Sequence, residues 1–320
     1  MVKRSSPFRT AGFVLLVLVI MAFSLFPFLQ MISTSLKYQW DWGNPSLIPA
    51  RINLKAYSEV LGIGRRIAEI PPSVQRLLDS APNMTGEQRR QIIAKYQSSS
   101  DVFPFPTYFR NSLALSFLAA LLSVSFAIMG AYSFSRLRYR GRALVRRGVL
   151  FVYMFGGILL IVPLYKISVG MGLLQSAGGA FAALLVIYMV QTLPVSLFML
   201  GNYFRSIPFS IEESAFIEGY GRFAIVWRII VPLSLPAIIT VFVYSFMIAW
   251  NEYLFASVFL KSFQEIYTLP MGLRSLFYSK NAIWDRIMAA SFLTAAPVVA
   301  LFLSVEKRLV GGLSAGGVKE

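Results

Sequence analysis

The chain alternates long apolar runs with short polar ones, and the lengths of the runs carry the first message. Six segments, roughly 11–33, 112–135, 149–170, 180–201, 229–250 and 287–305, are long enough to cross a bilayer core of about 30 Å. The pattern predicts an all-α membrane protein with six transmembrane helices. Segments three and five are interrupted, by Gly156, Gly157 and Pro163 and by Pro232 and Pro236. Such breakers are tolerated where neighbouring helices or a cavity meet the freed backbone groups, so they read either as kinks or as marks of a substrate path.

The polar stretches set the orientation. The connection RLRYRGRALVRR carries Arg136, Arg138, Arg140, Arg142, Arg146 and Arg147, and short arginine-rich loops stay in the cytoplasm. Six spans then place residues 1–10 and 306–320 inside, with a first helix at 11–34 that reads as a retained signal anchor lacking a small-residue cleavage site. Residues 35–110 form an extracytoplasmic loop or subdomain, and 111–305 the transmembrane domain. The middle of the long loop reads as two short helices joined at Ala81-Pro82-Asn83, the second opened by a capping box from Thr85 to Gln88.

The same topology puts the loop 203–228 inside. PFSIEESAFIEGYG holds three glutamates and two glycines between two spans. Ser210 and Glu213 fit a second capping box, and Glu212 and Glu213 suit a helix N-terminus. Gly219 would cost about 1 kcal/mol inside a helix, so with Gly221 it predicts a turn between two helices.

Composition then narrows the chemistry. The 320 residues are 57% hydrophobic and 14% charged, with no cysteine and no histidine. Disulfides, thiolate or histidine catalysis and Cys or His metal sites are excluded. The net charge of +16 sits largely beside the spans, which favours membrane anchoring over nucleic acid. No G-x-x-x-x-G-K-[ST] sequence occurs, so any ATP is handled by another chain. A stand-alone ion-coupled transporter is the rival, but it would need carboxylates within its spans, and none lies centrally here.

The spacing Glu213-Ser214-Ala215-x-x-x-Gly219, nine residues, then Ile229-x-Val231-Pro232 resembles the EAA loop of ABC-importer permeases. It departs from that pattern at Ser214, Glu218, Tyr220 and Val231, where the family usually has Ala, Asp, Ala and Leu. FRNSLALSFLAALLSVSFAIMGAYSFSRLRYRGR (109–142) resembles the N-S-L and A-Y-x-F-x-R stretch of carbohydrate-uptake permeases, and Trp250-Asn251-Glu252 their W-N-E motif. The C-terminal LVGGLSAGGVKE is similar to the tail of the G-type permeases of maltose/maltodextrin importers.

The resemblance implies the type I ABC-importer permease (MetI-like) fold with a cytoplasmic EAA coupling helix. It implies a non-catalytic transport subunit for a sugar, with maltose or maltodextrin leading and another oligosaccharide or a polyol as the alternative. The implied partners are a second homologous permease (MalF-like), an ATP-binding subunit dimer (MalK-like) carrying ATP and Mg, and an extracytoplasmic solute-binding protein. No cofactor is expected on this chain.

Glu212, Glu213, Ser214, Ala215, Glu218 and Gly219 are the implied coupling residues. Gly316, Gly317 and Lys319 in the tail would touch the ATPase, in an extended segment, since Gly311, Gly312, Gly316 and Gly317 disfavour a helix. Loop 254–286, with Leu276, Phe277, Tyr278 and Ser279 near its tip, would reach the binding protein. The polar residues Gln191, Thr192, Asn251 and Glu252 bear on the substrate path, though Gln191 and Thr192 also fit inter-helix glue and Glu252 the membrane surface. The 60–100 region looks like an insertion relative to the family.

Overall fold

A computed structural model of the chain describes residues 7–38, 41–63, 78, 80, 85–89, 104–154, 157–277 and 284–315. The described residues are helices and connections, without strands. The helices are α1 (Pro7–Ser35), α2 (Lys55–Val60), α3 (Phe105–Arg136), α4 (Arg142–Met154), α5 (Gly157–Gly170), α6 (Ala177–Ser206), α7 (Phe209–Ile217) and α8 (Arg222–Ile225). After a π-helical turn, Val226–Ile230, come α9 (Val231–Leu233), α10 (Leu235–Trp250), α11 (Leu254–Phe259), α12 (Leu269–Phe277) and α13 (Trp284–Ala315).

Among the described residues the six apolar segments are mainly helical, but they differ in continuity. Four are long enough and apolar enough to cross a membrane alone: Ala11–Ser35, Phe105–Arg136, Ala177–Ser206 and Trp284–Glu306. The fifth is no straight rod. Its limbs Arg222–Leu233 and Leu235–Trp250 meet at 82°. Pro232 and Pro236 flank the break and lack the amide hydrogens a continuous ladder needs. The third is shared between the end of α4 and the 14-residue α5, with 155–156 outside the described residues.

The chain divides into two compact units. The first, 1–106 with 273–293, begins with α1, whose apolar window buries nothing and so suits lipid contact. Beyond it the chain folds back around Lys37, which is fully buried and whose Nζ donates to the carbonyls of Asn44 and Ser46 at 2.7 Å each. Asp41 accepts from the Ala50 amide and from Asn44 Nδ2, each at 3.1 Å. These two donors hold its carboxyl below the ordinary 3.8, with a smaller contribution from Lys37. Asn53 Nδ2 donates to Asp285 Oδ2 at 3.4 Å, and Arg286 pairs with Glu59. Thr85 N–H donates to Gln88 Oε1 at 3.3 Å, one half of the expected capping box; 81–84 lie outside the described residues.

The second unit, 107–272 with 294–320, has two cores. One joins Ala131, Tyr132, Leu200 and Phe204 of α3 and α6 to Ala215 of α7 and Ile225 and Ile230 of the bent limb. The other joins Leu115, Leu184, Tyr188 and Ala249 to Phe255, Phe259 and Met271. Small residues let the helices approach: a Cβ on Gly130 would overlap Leu197 of α6. Asn111 Nδ2 donates to the carbonyls of Glu265 (2.9 Å) and Tyr267 (3.2 Å), and the Leu269 amide donates to Ser112 Oγ at 2.7 Å. The N-S pair thus moors the chain between α11 and α12 to the start of α3.

The end of the chain departs from expectation. α13 runs through Gly311 and Gly312 to Ala315 instead of becoming extended. An established helix adds one hydrogen bond per residue without a new nucleation penalty, so two glycines at about 1 kcal/mol each do not stop it. Gly316, Gly317 and Lys319 lie outside the described residues.

Candidate functional site

α7 is built by its ends. Its N-cap is Pro208, at φ −57°, and no side chain caps the helix. The expected box between Ser210 and Glu213 does not form, because the helix has already begun at Phe209. Ser210 lies inside it, and its carbonyl accepts from Ser214 Oγ at 3.0 Å. Proline suits a helix start because its φ is preset and no amide hydrogen is wasted. The other end is as expected: Gly219 has φ +86°. Tyr220 N–H donates to Ala215 O and Gly219 N–H to Phe216 O, each at 3.0 Å. This is a Schellman closure, in which a left-handed glycine lets the orphan carbonyls of the last turn be met.

The helix has two faces. Glu212 and Ala215 are buried, whereas Glu213, Ser214, Phe216, Ile217, Glu218 and Gly219 are exposed, Ile217 by 88%. The adjacent glutamates therefore do different work. Glu212 Oε1 pairs with Arg136 Nε at 2.7 Å, and its Oε2 accepts from the Tyr132 hydroxyl at 3.0 Å. Arg136 Nη2 also donates to the carbonyls of Phe204 and Ile207 at 2.6 Å each, and its guanidinium lies 5.8 Å from the Phe209 ring centroid. One arginine at the end of α3 thus holds two carbonyls at the C-terminus of α6 and the carboxylate of α7. The sequence marks Arg136 only as one of the arginines that set the orientation and as part of the A-Y-x-F-x-R spacing, which also contains Tyr132; neither residue is predicted to bind Glu212.

Of the four polar residues near the spans, three are engaged locally. Thr192 Oγ1 donates to Ser123 Oγ at 2.9 Å and to the Tyr188 carbonyl at 3.0 Å; Ser196 and Ser245 continue the hydroxyl chain at 3.1 Å. This is the inter-helix glue. Glu252 is half-buried and caps α11: Oε1 accepts from Phe255 N–H at 2.8 Å, and Oε2 from Ala256 N–H at 3.1 Å and the Tyr188 hydroxyl at 2.5 Å. Asn251 Nδ2 donates to Met247 O at 2.8 Å. Gln191 differs: its Oε1 is buried with no hydrogen-bond partner among the described residues.

The segment 254–286 is less of a loop than expected. Its first part folds back, burying Phe255, Ala256, Phe259, Leu260, Leu269 and Met271. Leu276 is half-buried in α12, which ends at Phe277, while Tyr278 and Ser279 lie outside the described residues.

Residues 123–307 match the family described as "Binding-protein-dependent transport system inner membrane component". The chain belongs to that family. Similar proteins include the inner membrane ABC transporter permease protein YcjP of Escherichia coli, 48% identical over 218 residues, 68% of this chain and 76% of that protein. The maltose/maltodextrin transport system permease protein MalG of Yersinia pestis is 29% identical over 322 residues, covering 99% of this chain and 95% of its own. A crystal structure of a bacterial ABC transporter involved in the import of alginate matches with a TM-score of 0.71 at 22% identity, over 96% of this chain and 99% of that one, and shows the shared fold. The chain is thus a multi-pass ABC-importer permease with the MetI-like fold. Like its relatives, it is a membrane component rather than an enzyme.

Proposed function

We propose that this permease carries a sugar, with maltose or a maltodextrin as the leading substrate and another oligosaccharide or a polyol as the alternative. The similarity to a maltose/maltodextrin permease supports the sugar class. In this reading the chain works beside a second, MalF-like permease, a MalK-like ATPase dimer that holds ATP and Mg, and a binding protein outside. The arginine-rich connection and both termini face the cytoplasm. The buried Gln191 Oε1, which has no hydrogen-bond partner among the described residues, supports reading Gln191 as a group that meets a sugar hydroxyl.

The observation that carries the mechanism is the division of α7 into a pinned face and a free one. The free face, with Glu213, Ser214, Glu218 and Gly219, docks on the ATPase. The pinned face, through Glu212 and Arg136, makes α3 and α6 follow. ATP closure of the ATPase dimer biases the bundle outward, and product release reverses the bias. Such a switch moves only as far as the difference in binding between its two states allows. The tail beyond Ala315, with Gly316, Gly317 and Lys319, adds a second contact.

The test uses the reconstituted importer. Glu213→Gln removes an exposed charge and leaves the Arg136 pin intact, so expression and insertion should be unchanged while ATPase association or coupled transport falls. Full transport by both Glu213→Gln and Gly219→Leu would sink the docking assignment. Stimulation of ATP hydrolysis by one sugar and not by others assigns the substrate.

A further inference from the structure

A shallow groove lies between α3, α4 and α6, lined by Phe134, Arg146, Leu197, Phe198, Gly201 and Arg205. Its floor is apolar and two arginines from different helices stand at its rim. Among the described residues neither arginine has a carboxylate within ion-pair distance; Arg205 donates only to Asn202, one turn back on its own helix. The other arginines here are solvated or answered, Arg142 by the Leu137 carbonyl at 2.9 Å and Arg136 by the Glu212 carboxylate.

The groove also sits at a definite depth. α3 ends at Arg136 and α6 at Ser206, so Phe134 and Arg205 occupy the last turns of two membrane-length helices. α4 repeats the gradient: Arg142, Arg146 and Arg147 lie in its first two turns, and exposed Leu150, Phe151, Tyr153 and Met154 follow. With these helices across a bilayer, the positive charge would stand at the level of the headgroups and the apolar floor would continue into the hydrocarbon. An unpaired guanidinium fork matches a phosphate diester, and basic pockets between membrane helices hold anionic headgroups.

We propose that Arg146 and Arg205 hold the headgroup phosphate of an anionic phospholipid whose acyl chain lies on Phe134, Leu197 and Phe198. An acidic patch of a partner protein would answer the charge, but it would leave the apolar floor and the exposed apolar end of α4 uncovered. The inference does not depend on the transported substrate or on α7 docking.

The experiment places the purified permease complex in bilayers of phosphatidylcholine with and without phosphatidylglycerol. Lipid retained after transfer to detergent is then read by native mass spectrometry. The wild type should retain phosphatidylglycerol in preference to phosphatidylcholine, and each of Arg146→Gln and Arg205→Gln should lower that preference about fivefold. The Arg146→Lys/Arg205→Lys double variant should keep most of it, which separates lost charge from lost fold. Arg138→Gln, outside the groove, should change nothing. The proposal is overturned if the wild type shows no preference, if Arg138→Gln weakens it equally, or if inorganic phosphate displaces the lipid. It is also overturned if the Gln variants instead release the ATPase subunits while lipid retention is unchanged.

Discussion

Two glutamates, one beside each core of the second unit, each receive a tyrosine hydroxyl, yet they are answered differently. Glu212 meets a cation: Arg136 pairs with it and at the same time holds two carbonyls from the end of α6. Glu252 meets no cation among the described residues; it accepts two amides at the start of α11 and the Tyr188 hydroxyl. The first arrangement ties three helices together through a charge pair, and the second finishes α11 and fastens it to α6 through one hydroxyl. A buried ion pair adds little net stability against an apolar replacement, but it is costly to break from one side. It therefore suits a joint that must hold one geometry while force passes through it. A carboxylate on open amides suits a local fold that needs only to persist.

The largest test of this contrast is Arg136→Met. It leaves Glu212 buried without its cation and should cost about 3–5 kcal/mol, measured by unfolding of the purified permease in detergent. Arg136→Met/Glu212→Leu should recover most of that loss; if it does not, the pair is not the unit described. Gly219→Ala comes next. A side chain at φ +86° costs about 1–2 kcal/mol and should speed amide exchange in α7 while α11 keeps its protection.

Glu252→Ala should cost about 1 kcal/mol, as for other lost caps, with the loosening centred on α11. A loss equal to that of Arg136→Met would erase the distinction between joint and cap. The smallest effect belongs to Asp41, a carboxylate satisfied by an amide hydrogen and a side-chain amide in the first unit. Because its folded value is depressed, its contribution is complete above the ordinary 3.8 and is lost as pH falls through the lower, folded value. Amide exchange around 41–53 should rise only in that acidic window.

Run lengths made the helices legible, and glycine chemistry made the turn after α7 legible, because both are local properties. The choice between Glu212 and Glu213 was not local. It depends on a tyrosine 80 positions away and on the arginine one turn beyond it. The capping box at Ser210 had the right spacing, but Pro208 started the helix first. The glycine-rich tail had an unfavourable composition, but an existing helix propagated into it as far as Ala315. The W-N-E and N-S-L spacings were visible as resemblance; that Glu252 caps α11 and Asn111 and Ser112 moor the 265–269 stretch needed the folded chain.

The corner at Ser234 has a mechanical consequence. Between Val226 and Leu235 the backbone passes through a π-helical turn, and prolines at 232 and 236 supply no amide hydrogens. Turning a regular helix through 82° would sacrifice hydrogen bonds, but here part of the ladder is missing by composition. The joint between the limb Arg222–Leu233 and the limb Leu235–Trp250 is therefore the place along this span where a change of angle is cheapest. Torque applied on one side of it would be spent on rotation rather than on unwinding the span.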